Sequence, residues 1–430
     1  MSGTKRFFRQ IHLYLSLAAG LVVAVVCFTG AVLVFEKELE AAWHPARYQV
    51  AAVGAVRQPL DQLAATARAT YPGASVTGLK LYADPRRTVE MSLSANPSAN
   101  PSANPTANPS ANDRLRSAGL NDGGQPKPAL GKDRKPGGSD KGGPRVFVDP
   151  YTGAVTGAVV YRETFFYTMM ALHRGMVGGD VGKLVVGVST IMFLVILLTG
   201  IVLWWPASRK ALRQRLKVKA DGSWKRLNHD LHVTLGFYTA LFLFVFAFTG
   251  LAWSFEWFNK GIFTLTASEM KGPEPPASTT PMPPGQAGSF EALYAAAQAR
   301  RPAAASYALQ LPAAAEPLSS ARVLVPAANV AYDGPTDELY FDGPTLRPLG
   351  EVSFTDRNLG QRVRRTFKPV HTGAIFGWPS QVVALLACLL GTTFPITGVI
   401  MWLNRLRKER AKGARPRAAA PVAAGASVNR

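Results

Sequence analysis

Histidine has the most informative spacing in this chain, because four of its six copies fall into two pairs, His12 with His232 and His173 with His371. A neutral imidazole is the commonest protein ligand for metals. Two imidazoles that face each other between helices can take both axial positions of a haem, whose flat apolar ring suits the interior of a helix bundle. The pairs therefore predict two metal centres.

An internal repeat decides which histidines belong together. Phe-Thr-Gly at 28–30 recurs at 248–250, an offset of 220, and Thr-Gly at 199–200 recurs at 397–398, an offset of 198. Neither motif contains a histidine. Even so, the offset of 220 relates His12 to His232, and the offset of 198 relates His173 to His371. We expect an internal duplication that places each pair at one depth of the membrane.

The pairs predict two b-type haems with bis-histidine ligation, because the chain has no Cys-x-x-Cys-His for covalent attachment. Each histidine can instead hydrogen-bond a neighbour or lie among lipid headgroups. Zinc or copper is a third interpretation, for which two histidines per site leave ligands missing. His229 lies near the helix face of His232 but has Arg9 as its repeat equivalent, so whether it supports or replaces His232 stays open.

Four apolar stretches must position these histidines. Each is about as long as the roughly 20 residues that cross about 30 Å of hydrocarbon. The stretches are 11–35, 184–205, 231–255 and 382–403. The first and third stretches begin close to His12 and His232, and the second and fourth begin soon after His173 and His371. We expect an all-α four-helix membrane bundle with one pair at its inner face and the other at or just beyond its outer interface.

The formal net charge of +21 arises from 48 Lys and Arg against 27 Asp and Glu. The basic residues cluster at the ends of the apolar stretches, which the positive-inside rule explains without a nucleic-acid partner. The rule places both termini and the loop 206–230 in the cytoplasm of a bacterium and the loops 36–183 and 256–381 outside its inner (cytoplasmic) membrane. Cys27 and Cys388 both lie within apolar stretches, which excludes a disulfide framework.

The expected segments follow from these boundaries. They are transmembrane helix 1 with the cytoplasmic N-terminus (1–36), a first periplasmic domain (37–160) with a disordered insertion (94–144), an approach helix and transmembrane helix 2 (161–205), a basic cytoplasmic loop (206–230), transmembrane helix 3 (231–257), a second periplasmic domain (258–355), an approach helix and transmembrane helix 4 (356–403), and a basic cytoplasmic tail (404–430).

Both periplasmic segments predict a small α+β domain in which a helix precedes short strands. The helices are expected at 59–71 and 290–300, and the strands at 75–82, 87–93, 145–148, 305–311, 320–326 and from 338. The Ser/Thr-Ala-Asn-Pro repeats and the Gly, Pro and Lys residues of 94–144 lack the large apolar side chains that a core needs, which predicts disorder.

The segments before the outer histidines are basic. Four of their side chains are candidates for contact with haem propionates or an anionic ligand: Arg174, Arg364, Arg365 and Lys368. A solvated basic helix lying on anionic lipid is the other interpretation.

Several motifs together resemble the PepSY-associated transmembrane family, which includes iron-regulated inner-membrane proteins and ferric-siderophore reductases. They are Leu172-His173-Arg174, Leu231-His232, Val370-His371-Thr372-Gly373, the Thr-Gly-x3-Trp ends of two apolar stretches, and Asp149-Pro-Tyr-Thr-Gly153. The resemblance implies PepSY-like periplasmic domains. It also implies an enzyme, a ferric-siderophore reductase, whose haem-bearing bundle passes electrons outward, reduces periplasmic ferric siderophore and releases Fe(II).

The same resemblance supplies a competing hypothesis, since PepSY modules are also named for a proposed peptidase-inhibitor role. The chain would then be a non-enzymatic membrane regulator. It has no flavodoxin-like or nicotinamide-binding segment, so an oxidoreductase would take electrons from quinol or from a soluble cytoplasmic reductase. Transport is a weaker third hypothesis, because only Pro395 interrupts an apolar stretch.

Overall fold

The computed structural model describes residues 3–94, 143–219, 222–278, 280–281, 283, 288–312, 320–328, 330, 332 and 334–413. Its helices are α1 (Gly3–Val34), α2 (Glu36–Trp43), α3 (Pro45–Tyr48), α4 (Leu60–Thr70), α5 (Phe165–Gly175), α6 (Gly179–Trp204), α7 (Arg209–Arg215), α8 (Trp224–Ser254), α9 (Glu256–Leu265), α10 (Phe290–Arg300), α11 (Leu359–His371) and α12 (Trp378–Gly413).

The strands of the described residues form one sheet. They are β1 (Val76–Tyr82), β2 (Val89–Leu93), β3 (Arg145–Val148), β4 (Val155–Val159), β5 (Ser306–Gln310), β6 (Ala321–Pro326), β7 (Thr336–Phe341) and β8 (Pro348–Val352). The chain divides into a helical unit (Met1–Glu36, Thr168–Met270 and Val363–Arg430) and a sheet unit (Lys37–Tyr167 and Lys271–Arg362).

The helical unit contains four helices that are long and apolar enough to cross a membrane: α1, α6, α8 and α12. The four predicted spans are therefore confirmed. α1 packs against α6 and α12, and α8 packs against the same two helices, so the four close into a bundle. One end of the bundle contains the first residues of α1 and α8 and the last residues of α6 and α12, and we call it the basic end. We call the opposite end the far end.

Small residues allow α1 and α12 to approach closely, as membrane helices require when no hydrophobic effect drives their association. A Cβ atom on Gly391 of α12 would lie 2.9 Å from Sγ of Cys27 on α1, and one on Gly20 would lie 3.3 Å from Pro395. An apolar layer fills the middle of the bundle. Its buried members are Ala19, Val23, Cys27, Leu243 and Ala387.

The sheet unit differs from the two separate domains that the sequence predicts. All strands pair antiparallel in the order β4-β3-β2-β1-β5-β6-β7-β8, and β1 joins β5 through pairs such as Leu81 with Tyr307. Each half of the chain supplies four of these strands. From the central β1–β5 pair outward, the strands of each half follow one another in chain order, β1 to β4 on one side and β5 to β8 on the other. The physical reason is that a separate half would leave β1 or β5 as an unpaired edge, and joining the halves pairs both edges.

Helices α4 and α10 both pack on the sheet, with Leu60, Leu63, Phe290 and Leu293 buried in its core. Each helix also caps the other. Asp61 of α4 accepts a hydrogen bond from the backbone N–H of Phe290 at 2.7 Å, and Glu291 of α10 accepts one from the N–H of Leu60 at 2.8 Å. A carboxylate at a helix N-terminus stabilises the orphan N–H groups there.

The predicted helices 59–71 and 290–300 and most predicted strands match the observed elements to within a few residues. The sequence missed β4 and β8, whose glycines and proline weaken the strand signal. It also missed α9, which extends the helical unit to Met270 rather than 257. The predicted disordered insertion 94–144 lies almost wholly outside the described residues.

Candidate functional site

The helical unit brings the predicted histidines together as two facing pairs. At the basic end the ring centroids of His12 and His232 are 6.5 Å apart, and at the far end those of His173 and His371 are 6.0 Å apart. His12 lies on α1, His232 on α8, His173 on α5 and His371 on α11. Each pair therefore takes one histidine from each half of the chain.

A Thr-Gly dipeptide on a neighbouring helix contacts every one of these imidazoles. The distances from Nδ1 to the threonine Oγ1 are 3.0 Å for His12 and Thr199, 2.8 Å for His232 and Thr397, 3.2 Å for His173 and Thr29, and 3.1 Å for His371 and Thr249. Nδ1 also contacts the carbonyl oxygen three residues before the threonine at Ile196, Val26 and Phe246, and His232 likewise hydrogen-bonds the backbone of Phe394.

These contacts decide which ring nitrogen carries the proton. A carbonyl oxygen only accepts hydrogen bonds, and each threonine hydroxyl already donates to carbonyls of its own helix, as Thr249 does to Val245 at 2.7 Å. Nδ1 must therefore be the donor, and Nε2 keeps its lone pair. Tying up one ring nitrogen in this way fixes the orientation of a ligating histidine and leaves the other nitrogen free for a metal.

The glycine of each dipeptide makes room for the imidazole. A Cβ atom added to Gly30 would lie 3.1 Å from Cε1 of His173, and one added to Gly250 would lie 3.2 Å from Cε1 of His371. The corresponding distances are 3.4 Å from Gly200 to His12 and 3.4 Å from Gly398 to His232. The ring thus lies directly against helix backbone, and the far pair is packed more tightly than the basic-end pair.

Two tight turns set the far pair in place. Gly182 of α6 lies against the carbonyl oxygen of Gly175, where a Cβ atom would collide at 1.8 Å, and Met176 and Val177 between them both have left-handed backbone conformations. In the second half, Gly373 adopts a φ of 73° just after His371. The chain can therefore turn from each approach helix into a membrane helix within a few residues.

The far pair lies below the ends of the helices that it contacts. Thr29 and Thr249 contact its imidazoles, and each is five residues before the end of its helix at Val34 or Ser254, which is about 7.5 Å at 1.5 Å per residue. The far pair therefore lies within the far end of the bundle, and its predicted position relative to the outer membrane interface stays a prediction. His173 and His371 reach this level near the C-terminal ends of α5 and α11, where each imidazole contacts a threonine of a membrane helix.

Burial favours the neutral form of the far pair. Burial lowers the pKa of His173, and burial followed by the proximity of His173 lowers the pKa of His371 to about 4. A neutral imidazole is the form that ligates metals.

His232, not His229, faces His12. The imidazole of His229 is 54% exposed and contacts Asp230 at 3.2 Å. His232 lies in a π-helical turn, Leu231–Leu235, within α8, and such turns are frequent at functional sites because they rotate side chains out of the regular helical register. His44, the remaining histidine, is exposed at the start of α3.

The predicted basic candidates separate into two kinds. Arg174, Arg365 and Lys368 are exposed. Arg364 is half-buried, and its guanidinium lies 4.8 Å from the ring centroid of Trp253. The ring of Trp253 is in turn 5.3 Å from that of His371.

The donor set fits haem better than a bare metal ion. Two imidazoles that share one metal at about 2 Å per bond have ring centroids roughly 6 Å apart, as both pairs do. In the described part of the chain, no group of three or more His, Cys, Asp or Glu side chains is arranged to hold a metal. Zinc takes four ligands, whereas the haem macrocycle supplies all but the two axial ones.

The profile of the PepSY-associated TM region matches residues 9–405. The chain belongs to this family. The match covers both histidine pairs, the four Thr-Gly dipeptides that contact them and every strand of the described sheet. No curated protein matches the chain.

Sequence reasoning missed the role of the Thr-Gly dipeptides in this PepSY-associated transmembrane protein. The dipeptides appear in the sequence as markers of the repeat, and their fourfold occurrence near the ends of apolar stretches is the signal that they do more. What the sequence does not show is the partner of each one. Thr29 contacts His173 of the same half across 144 positions, a contact that exists only once the helices are packed.

Proposed function

We propose that this chain is a di-haem b oxidoreductase of the bacterial inner membrane that passes electrons across the bilayer and reduces ferric siderophore in the periplasm. One observation carries the proposal. Two facing histidine pairs lie at opposite ends of one membrane bundle, each with Nδ1 engaged by a Thr-Gly dipeptide and with a ring spacing suited to a shared metal.

In this proposal His12 and His232 hold the haem at the basic end, and His173 and His371 hold the haem at the far end. A bound haem supplies one-electron chemistry, since its iron exchanges single electrons at a potential set by its axial ligands and surroundings. Along α1, His12 and Thr29 are separated by roughly 25 Å at 1.5 Å per residue. Two such sites would divide the membrane crossing into shorter electron transfers.

The positive-inside rule places the basic end in the cytoplasm, where quinol or a soluble reductase supplies electrons. The far pair then faces the periplasm, where one electron converts Fe(III) of a ferric siderophore to Fe(II), which the chelator binds more weakly. The siderophore as acceptor rests on the family resemblance. The chain's own contribution is to orient the imidazoles at both ends and to place an apolar layer between them.

The test is the absorption spectrum of full-length protein purified after haem-replete expression, before and after dithionite. We expect two haems per chain, and His173→Ala and His12→Ala should each remove one. His44→Ala and His229→Ala are the matched controls, because they remove imidazoles that the structure places outside both pairs, and they should keep both haems. Colourless wild-type protein would refute the proposal.

Electron transfer itself is tested in proteoliposomes with a reductant inside and ferric siderophore outside. Release of Fe(II), followed with a coloured Fe(II) chelator, should require both histidine pairs. If the histidine variants were as active in the cell as the wild type, and loss of the sheet unit alone removed function, the chain would act as a regulator or peptidase inhibitor.

A further inference from the structure

Arg364 is a cation that is fixed from two sides next to the far histidine pair. Its Nε donates a hydrogen bond to Oδ1 of Asn259 at 2.6 Å, and its plane lies over Trp253 at 4.8 Å. Trp253 also contacts the ring of His371. The guanidinium is therefore one aromatic ring away from a proposed haem ligand.

The surrounding packing makes this position rigid. Phe367 of α11 is buried with Ala252 of α8 and Ile262 of α9, and Val363 packs against the same cluster. Arg364 lies on α11 between Val363 and Phe367, so its backbone cannot move without disturbing this cluster. A guanidinium held at Nε and on one face keeps its two terminal nitrogens in a fixed fork.

This fork lacks an acidic partner. Among the described residues, Arg364 makes no ion pair, and the hydrogen bond it donates ends on a neutral amide. The partly buried Arg47 and Arg57, by contrast, pair with Glu40 and Glu291. Burial lowers the pKa of Arg364, as expected for a charge that no counter-ion compensates.

We propose that Arg364 binds a carboxylate beside the far histidine pair, through two parallel hydrogen bonds from its terminal nitrogens. Arginine matches a carboxylate in this bidentate geometry and forms stronger bonds than a neutral donor. The inference rests on the proposed function, because the carboxylate comes either from a propionate of the haem at His173 and His371 or from the ferric chelate that this haem reduces.

The site occurs only in the second half of the chain. The repeat offsets place Phe166 at the position equivalent to Arg364 and Leu33 at the position equivalent to Trp253. Neither can bind an anion. Each half therefore contributes one imidazole to the far pair, but only the second half contributes the proposed carboxylate site.

Two variants of the full-length protein test the site. Arg364→Gln removes the charge and the fork. Asn259→Asp keeps the arginine and the shape of its partner but supplies an internal carboxylate that competes for it, so it remains informative if Arg364→Gln does not fold. Arg365→Gln is the control, because it removes an exposed charge from the adjacent position.

The two sources give different results. If the carboxylate is a propionate, both variants change the midpoint potential of one haem and weaken its retention with no chelate present. If the carboxylate belongs to the acceptor, the absorption spectrum and the midpoint potential stay unchanged. KM for ferric citrate then rises about 10-fold or more, as loss of a charged hydrogen bond predicts. KM for a carboxylate-free ferric trihydroxamate stays constant. Arg364→Lys should restore only part of either effect, since lysine lacks the fork.

The proposal is overturned if both variants match wild type in haem potential, haem retention and KM for ferric citrate, or if Arg365→Gln has the same effect as Arg364→Gln. This failure differs from failure of the proposed function, in which the wild-type protein itself contains no haem.

Discussion

Nδ1 of His371 lies 3.1 Å from Oγ1 of Thr249, and the same two atoms meet at the three other histidines of the two pairs. The threonine hydroxyl donates its proton within its own helix at each site, so its oxygen is left to accept from the imidazole. One local arrangement, used four times, therefore fixes the orientation of every proposed ligand and the position of its proton.

Replacing Thr249 by valine removes this acceptor and keeps the side-chain shape. We expect Thr249→Val to weaken retention of the far haem by about 10-fold, the lower end for loss of a group that orients a metal ligand, because the carbonyl of Phe246 still accepts from His371. Haem loss to apomyoglobin measures the effect. Thr190→Val is the control, since the Thr190 hydroxyl donates to Val186 of its own helix; equal haem loss in both variants would contradict the role of Thr249.

Alanine at Gly250 would place a methyl group 3.2 Å from Cε1 of His371. The imidazole would have to shift by a few tenths of an ångström, and we expect Gly250→Ala to release the far haem while the basic-end haem stays bound. In Gly236→Ala on the same helix, the added methyl group meets no atom of the described residues within 4 Å beyond the neighbouring backbone of its own helix, so this variant should keep both haems. The haem-to-protein ratio after purification decides between these outcomes, and full occupancy in Gly250→Ala would show that the glycine is not needed for the site.

Gly391 and Cys27 fill the space between α12 and α1. A methyl group at Gly391 would lie 2.9 Å from the sulfur, and overpacking of this kind costs about 1–3 kcal/mol. Gly391→Ala should therefore lower the thermal unfolding temperature in detergent. The double variant with Cys27→Ala should recover most of the loss, because the smaller side chain frees the volume. A double variant less stable than either single variant would refute this packing account.

Glu291 predicts a pH dependence in the sheet unit. Its hydrogen bonds from Arg57 hold the pKa of this carboxyl below its usual value, so its contribution to stability is complete above the usual pKa of about 4.3 and is lost as the pH falls through the lowered value. Glu291→Gln should destabilise the protein at pH 7, and the difference should shrink as the pH falls below the usual pKa and through the lowered one. Unfolding temperatures of the two proteins across this range provide the measurement, with Glu163→Gln, an exposed acid, as the control; a constant difference at all pH values would contradict the linkage.

The sequence predicts those parts of this protein that depend on local pattern or on the repeat. Hydropathy and charge predict the four membrane helices, and the offset between the two halves predicts that His12 belongs with His232. The contact between Thr29 and His173 is not predictable in this way, because it depends on how α5 enters the bundle. The pairing of β1 with β5 is likewise invisible, since it joins strands more than 200 residues apart and leaves no local signal.

The asymmetry of the far end is also beyond a repeat-based prediction. The repeat relates His173 to His371 as equals, whereas the structure places Trp253 and Arg364 beside only the second. Charge counting identifies a basic segment before His371. It does not distinguish the half-buried Arg364 from its exposed neighbours, because that difference arises from the packing of Phe367 and Val363 against α8 and α9.

Pairing between the two halves has a consequence for biosynthesis. Translation and membrane insertion of the first half produce one imidazole for each site and a sheet whose β1 edge is still open. Any group that needs both imidazoles can be loaded only after the second half has been synthesised and inserted. A prematurely terminated chain would thus lack one imidazole at each site and would leave the edge of β1 unpaired.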